Sequence, residues 1–172
     1  MRHSIDANRL GTAKSAGDET RLVEQLRGLK SQRSPRQARV AKALQMLEQT
    51  NSSRVRNAAA LALADLRALS AKDALVNLLT RPETTGARST LLYALEQLKA
   101  HVPLPILAEI ILDESYEARE EALALIAQHR IECSAEEFER ARARLEAARV
   151  QADDERSQAI RRALEYLTAK HC

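Results

Sequence analysis

Tryptophan is absent from this 172-residue chain, Phe138 is its one phenylalanine, and aromatic residues make up 2 %. A β-sandwich or barrel builds its strands from β-branched and aromatic residues, so this composition argues against that class. Glycine and proline are also scarce, at four each. The glycines Gly11, Gly17, Gly28 and Gly86 stand isolated, so no Gly-rich loop is present to cradle a phosphate. The two cysteines, Cys133 and Cys172, follow no framework spacing. Reduced thiols and a cytoplasmic location are the expectation. No run is long and apolar enough to span a bilayer, because the most apolar stretch, 104–112, is broken by Pro105 and Glu109. The opening MRHSIDANRLGTAKSAG lacks the hydrophobic segment of a secretory signal. No membrane role is expected.

The side chains that carry chemistry are scattered. No His or Cys pair has metal-ligand spacing, and His171–Cys172 is a terminal dipeptide. Cys133 has no activating base near it in sequence. The carboxylate pairs Glu120–Glu121, Glu136–Glu137 and Asp153–Asp154 are ordinary on a solvated helix. The sequence therefore offers no catalytic set, no cofactor site and no metal site, and a non-enzyme is expected.

What is abundant is Ala, Leu, Arg, Glu and Gln, residues that lose little rotamer freedom in helices. An all-α chain follows. Charge is uneven along it. Residues 1–57 hold 12 Lys/Arg against 5 Asp/Glu, whereas residues 101–172 hold 10 against 15. A basic front and an acidic back make an electrically polar surface.

Residues 1–17 are polar and aperiodic and read as a disordered or loosely attached arm. From Asp18 to the end, residues 18–172 read as a single domain. A first helix is expected over about Glu19–Lys30, with Leu22, Leu26 and Leu29 on one face. Pro35 is expected in the first turn of the next helix, which carries Val40, Ala43, Leu44 and Leu47. The run Thr50–Ser53 reads as a turn with an N-cap.

An internal repeat begins there. VRNAAALALADL from Val55, ARSTLLYALEQL from Ala87 and AREEALALIAQH from Ala118 align without gaps, and RSQAIRRALEYL from Arg156 follows their apolar positions. Leu63, Leu95, Ile126 and Leu164 correspond, at spacings of 32, 31 and 38 residues. His129 falls where Leu66 and Leu98 fall, so a partly buried histidine is expected there rather than a base. The second helices repeat too: Leu75, Leu107 and Phe138 correspond, as do Leu78, Ile110 and Ala141. Leu79 and Ile111 give way to Arg142 in the third unit. One helical pair cannot bury both of its apolar faces, and stacking pairs solves this.

The string Val55, Arg56, Ala59, Ala60, Ala62, Leu63, Ala64, Leu66, then Ala74, Leu75, Leu78 and Leu79, resembles the HEAT repeat of the bacterial kind. That kind also occurs in the phycobilisome-lyase-like group. The resemblance is good over 53–113 and fair over 115–150. It implies an α-α superhelix, a HEAT-like solenoid of about four to five helical pairs. In such families an Arg early in the first helix pairs with acidic or backbone groups of the adjoining unit. The resemblance thus makes Arg56, Arg88 and Arg119 a structural ladder.

It also implies a protein-binding scaffold, acting as adaptor, regulator or small inhibitor through a concave wall of second helices. The residues left for that wall are Lys72, Asp73, Asn77, Glu109, Glu136, Glu137, Arg140 and Arg144. The acidic back favours a basic protein partner, with Tyr93 and Tyr116 as candidate anchors. The alternative is nucleic acid. DNA glycosylases and tRNA-associated proteins of similar build use basic faces, and Arg33, Arg36, Arg39 and Lys42 form a basic stripe. Against it, no aromatic lies in that segment to stack on bases.

Overall fold

The computed structural model describes residues 16–128 and 130–169. The expected arm therefore lies outside the described residues over 1–15, as do His129, His171 and Cys172. Ala16 and Gly17, assigned to the arm on sequence, open the first helix.

Nine α-helices run through the described residues. They are α1 (Ala16–Arg27), α2 (Arg36–Gln49), α3 (Ser53–Asp65), α4 (Lys72–Leu79), α5 (Ser89–Gln97), α6 (Leu104–Asp113), α7 (Tyr116–Ala127), α8 (Ala135–Arg149) and α9 (Asp154–Thr168). Their N-termini follow the side chains. Ser52 accepts from the Val55 N–H, Ser115 from Ala118 and Asp153 from Arg156, each satisfying an orphan donor of the first turn. Ser134 and Glu137 form a full capping box at the start of α8. Pro35 differs from its expected place. It precedes α2 in extended geometry and lends only its carbonyl, to the Arg39 N–H at 3.2 Å.

The chain divides into two compact units, Met1–Ala74 and Leu75–Cys172. In the first, α1 and α2 both pack on α3, burying Val23, Leu26, Leu29, Ala43, Met46, Leu47 and the alanine-rich face of α3. Leu44, expected on that face, is only half-buried, while Met46 goes inside. The arginines of α2 tie its neighbours together. Arg36 donates to the carbonyls of Leu66 (2.8 Å) and Arg67 (2.7 Å) beyond α3. Arg39 donates to those of Leu29 (3.0 Å) and Lys30 (2.8 Å), in the 3-10 turn Gly28–Ser31 that follows α1. These are the orphan acceptors that any helix end leaves.

In the second unit the first helices of successive repeats form one layer, α5 on α7 and α7 on α9. The second helices α6 and α8 form the other, joined across by α6 on α7 and α8 on α9. Leu95 and Ile126 are buried, as Leu63 is in the first unit. Leu164, their sequence counterpart, is half-buried, and Ala163 and Leu167 line the core instead. Phe138 is likewise half-buried. Arg142, which replaces an apolar contact, sits in a ladder on its own helix with Glu139 (2.9 Å) and Glu146 (3.5 Å).

Two features of this unit escaped the sequence reading. Short strands β1 (Val102–Pro103) and β2 (Ile131–Glu132) pair in parallel between the helices of adjacent repeats, with Val102 opposite Ile131. Also, α5 ends in a Schellman turn, where the Ala100 N–H reaches the Leu95 carbonyl at 2.9 Å and Lys99 takes φ 53°. The end of α3 does the same with Arg67, at φ 50°.

Candidate functional site

Two of the repeated arginines, Arg88 and Arg119, tie together the turns and helix starts of the second unit. Arg88 lies just before α5, with Nη1 3.0 Å from Glu114 Oε1. This is an ion pair rather than an aligned hydrogen bond. The other carboxylate oxygen accepts the Gly86 N–H at 2.8 Å. Gly86 has φ 75°, a conformation that any side chain would strain. The Glu114 backbone carbonyl accepts from Arg119 Nη1 at 3.3 Å, and Arg119 Nη2 bonds the Glu155 carboxylate. The buried Glu114 carboxylate thus joins the turn before α5 to the α6–α7 turn, while Arg119 links the Glu114 backbone carbonyl to the Glu155 carboxylate at the start of α9. Arg56 differs: it is 3 % exposed, yet its Nε and Nη1 meet no hydrogen-bond acceptor. Glu114 was missed on sequence. Its signal is an acidic residue directly before the Ser that caps the next first helix.

The second-helix wall of this unit is formed by α6 and α8. Two clefts lie along it, of about 330 and 530 Å³, and Arg144 lines both. The smaller gathers Glu109, Glu137, Arg140 and Arg144 over Pro105, Ala108 and Ala141. Arg144 Nη2 crosses from α8 to Glu109 on α6 at 2.7 Å. Arg140 pairs with Glu136 at 3.3 Å on α8. Glu137 is held by its capping box, which draws its carboxyl below the ordinary glutamate value through the backbone and hydroxyl of Ser134. Of the wall residues expected on sequence, Glu109, Glu137, Arg140 and Arg144 meet in one cleft. Glu136 stands beside it through Arg140. Lys72, Asp73 and Asn77 lie on α4, where Asp73 and Asn77 are exposed and Lys72 is half-buried.

In the basic stripe, Arg36 and Arg39 are engaged with backbone carbonyls, Arg33 is exposed and Lys42 half-buried. Tyr93 and Tyr116 are both exposed rather than core. No helix among the described residues is long and apolar enough to cross a membrane.

A family model described as HEAT repeats matches residues 40–127, just over half of the 172-residue chain. The chain belongs to the HEAT-repeat family. No curated protein and no solved structure matches it. HEAT repeats are generally protein-interaction scaffolds and typically not enzymes. The match covers the strongest repeats and stops before α8 and α9, where apolar positions give way to charge.

One titration belongs to the other layer of these HEAT repeats. Burial raises the Glu121 carboxyl above the ordinary value of 4.5, and the facing charge of Glu96 adds to it. The folded chain therefore holds this proton more tightly than the unfolded chain. The stability linked to it is present in acid and falls as pH rises from about 4.5 through the raised value. Glu121→Gln should accordingly be slightly more stable than the parent at pH 7, and its advantage should shrink toward pH 4. Thermal melts of both proteins across that range check this; a difference independent of pH would remove the assignment.

Proposed function

We propose that this HEAT-repeat protein is a binding scaffold, acting as adaptor, regulator or small inhibitor, whose docking wall is the α6–α8 face. The observation that supports this is the cleft where Glu109 and Arg144 meet across the two helices above an alanine floor. Both side chains are about half exposed. A pair in that setting is worth little in itself, so a partner can exchange it at small cost. A basic segment of a partner would take Glu109 from Arg144, while its apolar atoms cover Ala108 and Ala141. The excess of carboxylates over 101–172 favours the same sign of partner and fast, salt-sensitive association. On its cysteine usage we assign the protein to the cytoplasm.

The test is reversal of Glu109 and Glu136 to lysine, with Glu137 left intact because it caps α8. The parent and the double variant are used to capture partners from the native cell, with circular dichroism confirming equal helix content. Loss of the captured protein in the variant is the expected result. Equal recovery by a well-folded variant would eliminate this wall as the docking site.

A further inference from the structure

A second, independent surface lies in the first unit, between α2 and the turn that follows α3. There Val40, Ala41 and Leu44 face Leu69 across a groove of about 440 Å³, with Arg36 and Arg67 on its rim. No carboxylate lines it. Leu69 is 70 % exposed, unusual for a leucine in a turn held on both sides, and Leu44 beside it is half-buried. The turn is fixed in place, because Arg36 donates to the carbonyls of both Leu66 and Arg67. The groove is thus preorganised rather than assembled on binding.

Arg67 occupies the left-handed position of the Schellman turn, at φ 50°, as Lys99 does in the equivalent turn after α5. A long side chain at that position costs some backbone strain, and here it sets an exposed guanidinium at the edge of the groove.

We propose that this groove docks a short acidic segment of a partner protein, its apolar anchor on Leu44 and Leu69 and its carboxylates against Arg36 and Arg67. Arg36 holds its Nε and Nη2 donors on the Leu66 and Arg67 carbonyls and so contributes its positive charge. Arg67 supplies the paired donors that suit a carboxylate, and an apolar floor supplies the anchor that charge alone does not. Nucleic acid fits less well. The lining has no aromatic to stack on a base.

The experiment titrates the isotope-labelled full chain with the peptide Asp-Glu-Leu-Leu-Glu-Asp at low salt and follows amide shifts by NMR. Shifts confined to the neighbourhoods of residues 36–44 and 67–70, reversed at about 0.5 M salt, are expected. Arg67→Gly is the informative variant. It should melt at a higher temperature than the parent, because the strain is relieved, yet bind the peptide about tenfold more weakly. Leu69→Asp, at an exposed site, should abolish the shifts without unfolding the chain.

Four results would each overturn the proposal. They are no shifts at about 5 mM peptide; equal binding of Lys-Lys-Leu-Leu-Lys-Lys; tighter binding of oligothymidylate on the same amides; and shifts of the free protein on dilution, which would mean that a second copy fills the groove. An Arg67→Gly variant that binds as the parent does would overturn it as well.

Discussion

Replacing Glu114 by alanine should destabilise the protein by about 3–5 kcal/mol, the cost of leaving a buried charge without its partner. The carboxylate is almost wholly enclosed, and Arg88 opposite it is largely buried. Removing it strands the Arg88 guanidinium and the Gly86 N–H together. The remaining contacts of Arg88, with Thr84, Thr85 and the Arg81 carbonyl, are all neutral and at 3.3–3.4 Å, too long to replace an ion pair. The melting temperature should fall by roughly 6–20 °C for a chain of this size. Glu114→Gln keeps an acceptor for Gly86 and should lose less. Joint replacement of Arg88 and Glu114 by Met and Leu should lose less than Glu114→Ala alone, since an apolar pair of similar volume leaves no charge unsatisfied. A Glu114→Ala variant within about 1 kcal/mol of the parent would show that the pair behaves as an exposed one does.

Glu114 also marks the limit of what could be read from the chain. The helices were legible because their signals are local: alanine and leucine at helical spacing, and Ser52, Ser115, Ser134 and Asp153 at the caps. The recurring arginine was visible for the same reason, since gap-free alignment puts Arg56, Arg88 and Arg119 in register. Their partners were not. Arg88 finds its acid 26 residues on and Arg119 finds one 36 residues on, a spacing set by turn lengths that differ from repeat to repeat. The β1–β2 pair was hidden by its brevity, as two-residue strands carry no alternation. In the basic stripe, charge was legible but engagement was not. Only the folded chain turns Arg36 and Arg39 to helix-end carbonyls. On the wall, composition counted Glu109 and Glu136 as acid, whereas geometry pairs them with Arg144 and Arg140. That pairing is why the α6–α8 face is proposed as an exchangeable surface rather than a bare acidic one.

The repeat register marks which leucines carry the core. Leu95→Ala should cost about 2–5 kcal/mol, through lost transfer of the side chain from water and through the cavity left behind. Leu95 is fully buried in the middle of α5, with Leu91, Leu92 and Ala94 buried on the same helix and α7 packed against it. Little of this loss comes from helix propensity, because alanine is the better helix former. The comparison that isolates burial is Leu61→Ala. Leu61 is a leucine of α3 that is 42 % exposed, and its replacement should cost under about 1 kcal/mol. Urea titrations read both, with the slope of each transition checked to confirm that the same surface is exposed on unfolding. Because stacked repeats are stabilised by their nearest neighbours, amides of α5 and α7 should also exchange faster in Leu95→Ala, and those of α1 should change least. Equal costs at Leu95 and Leu61 would mean that the alignment of Leu63, Leu95 and Ile126 does not mark the core, and the register of the repeats would fall with it.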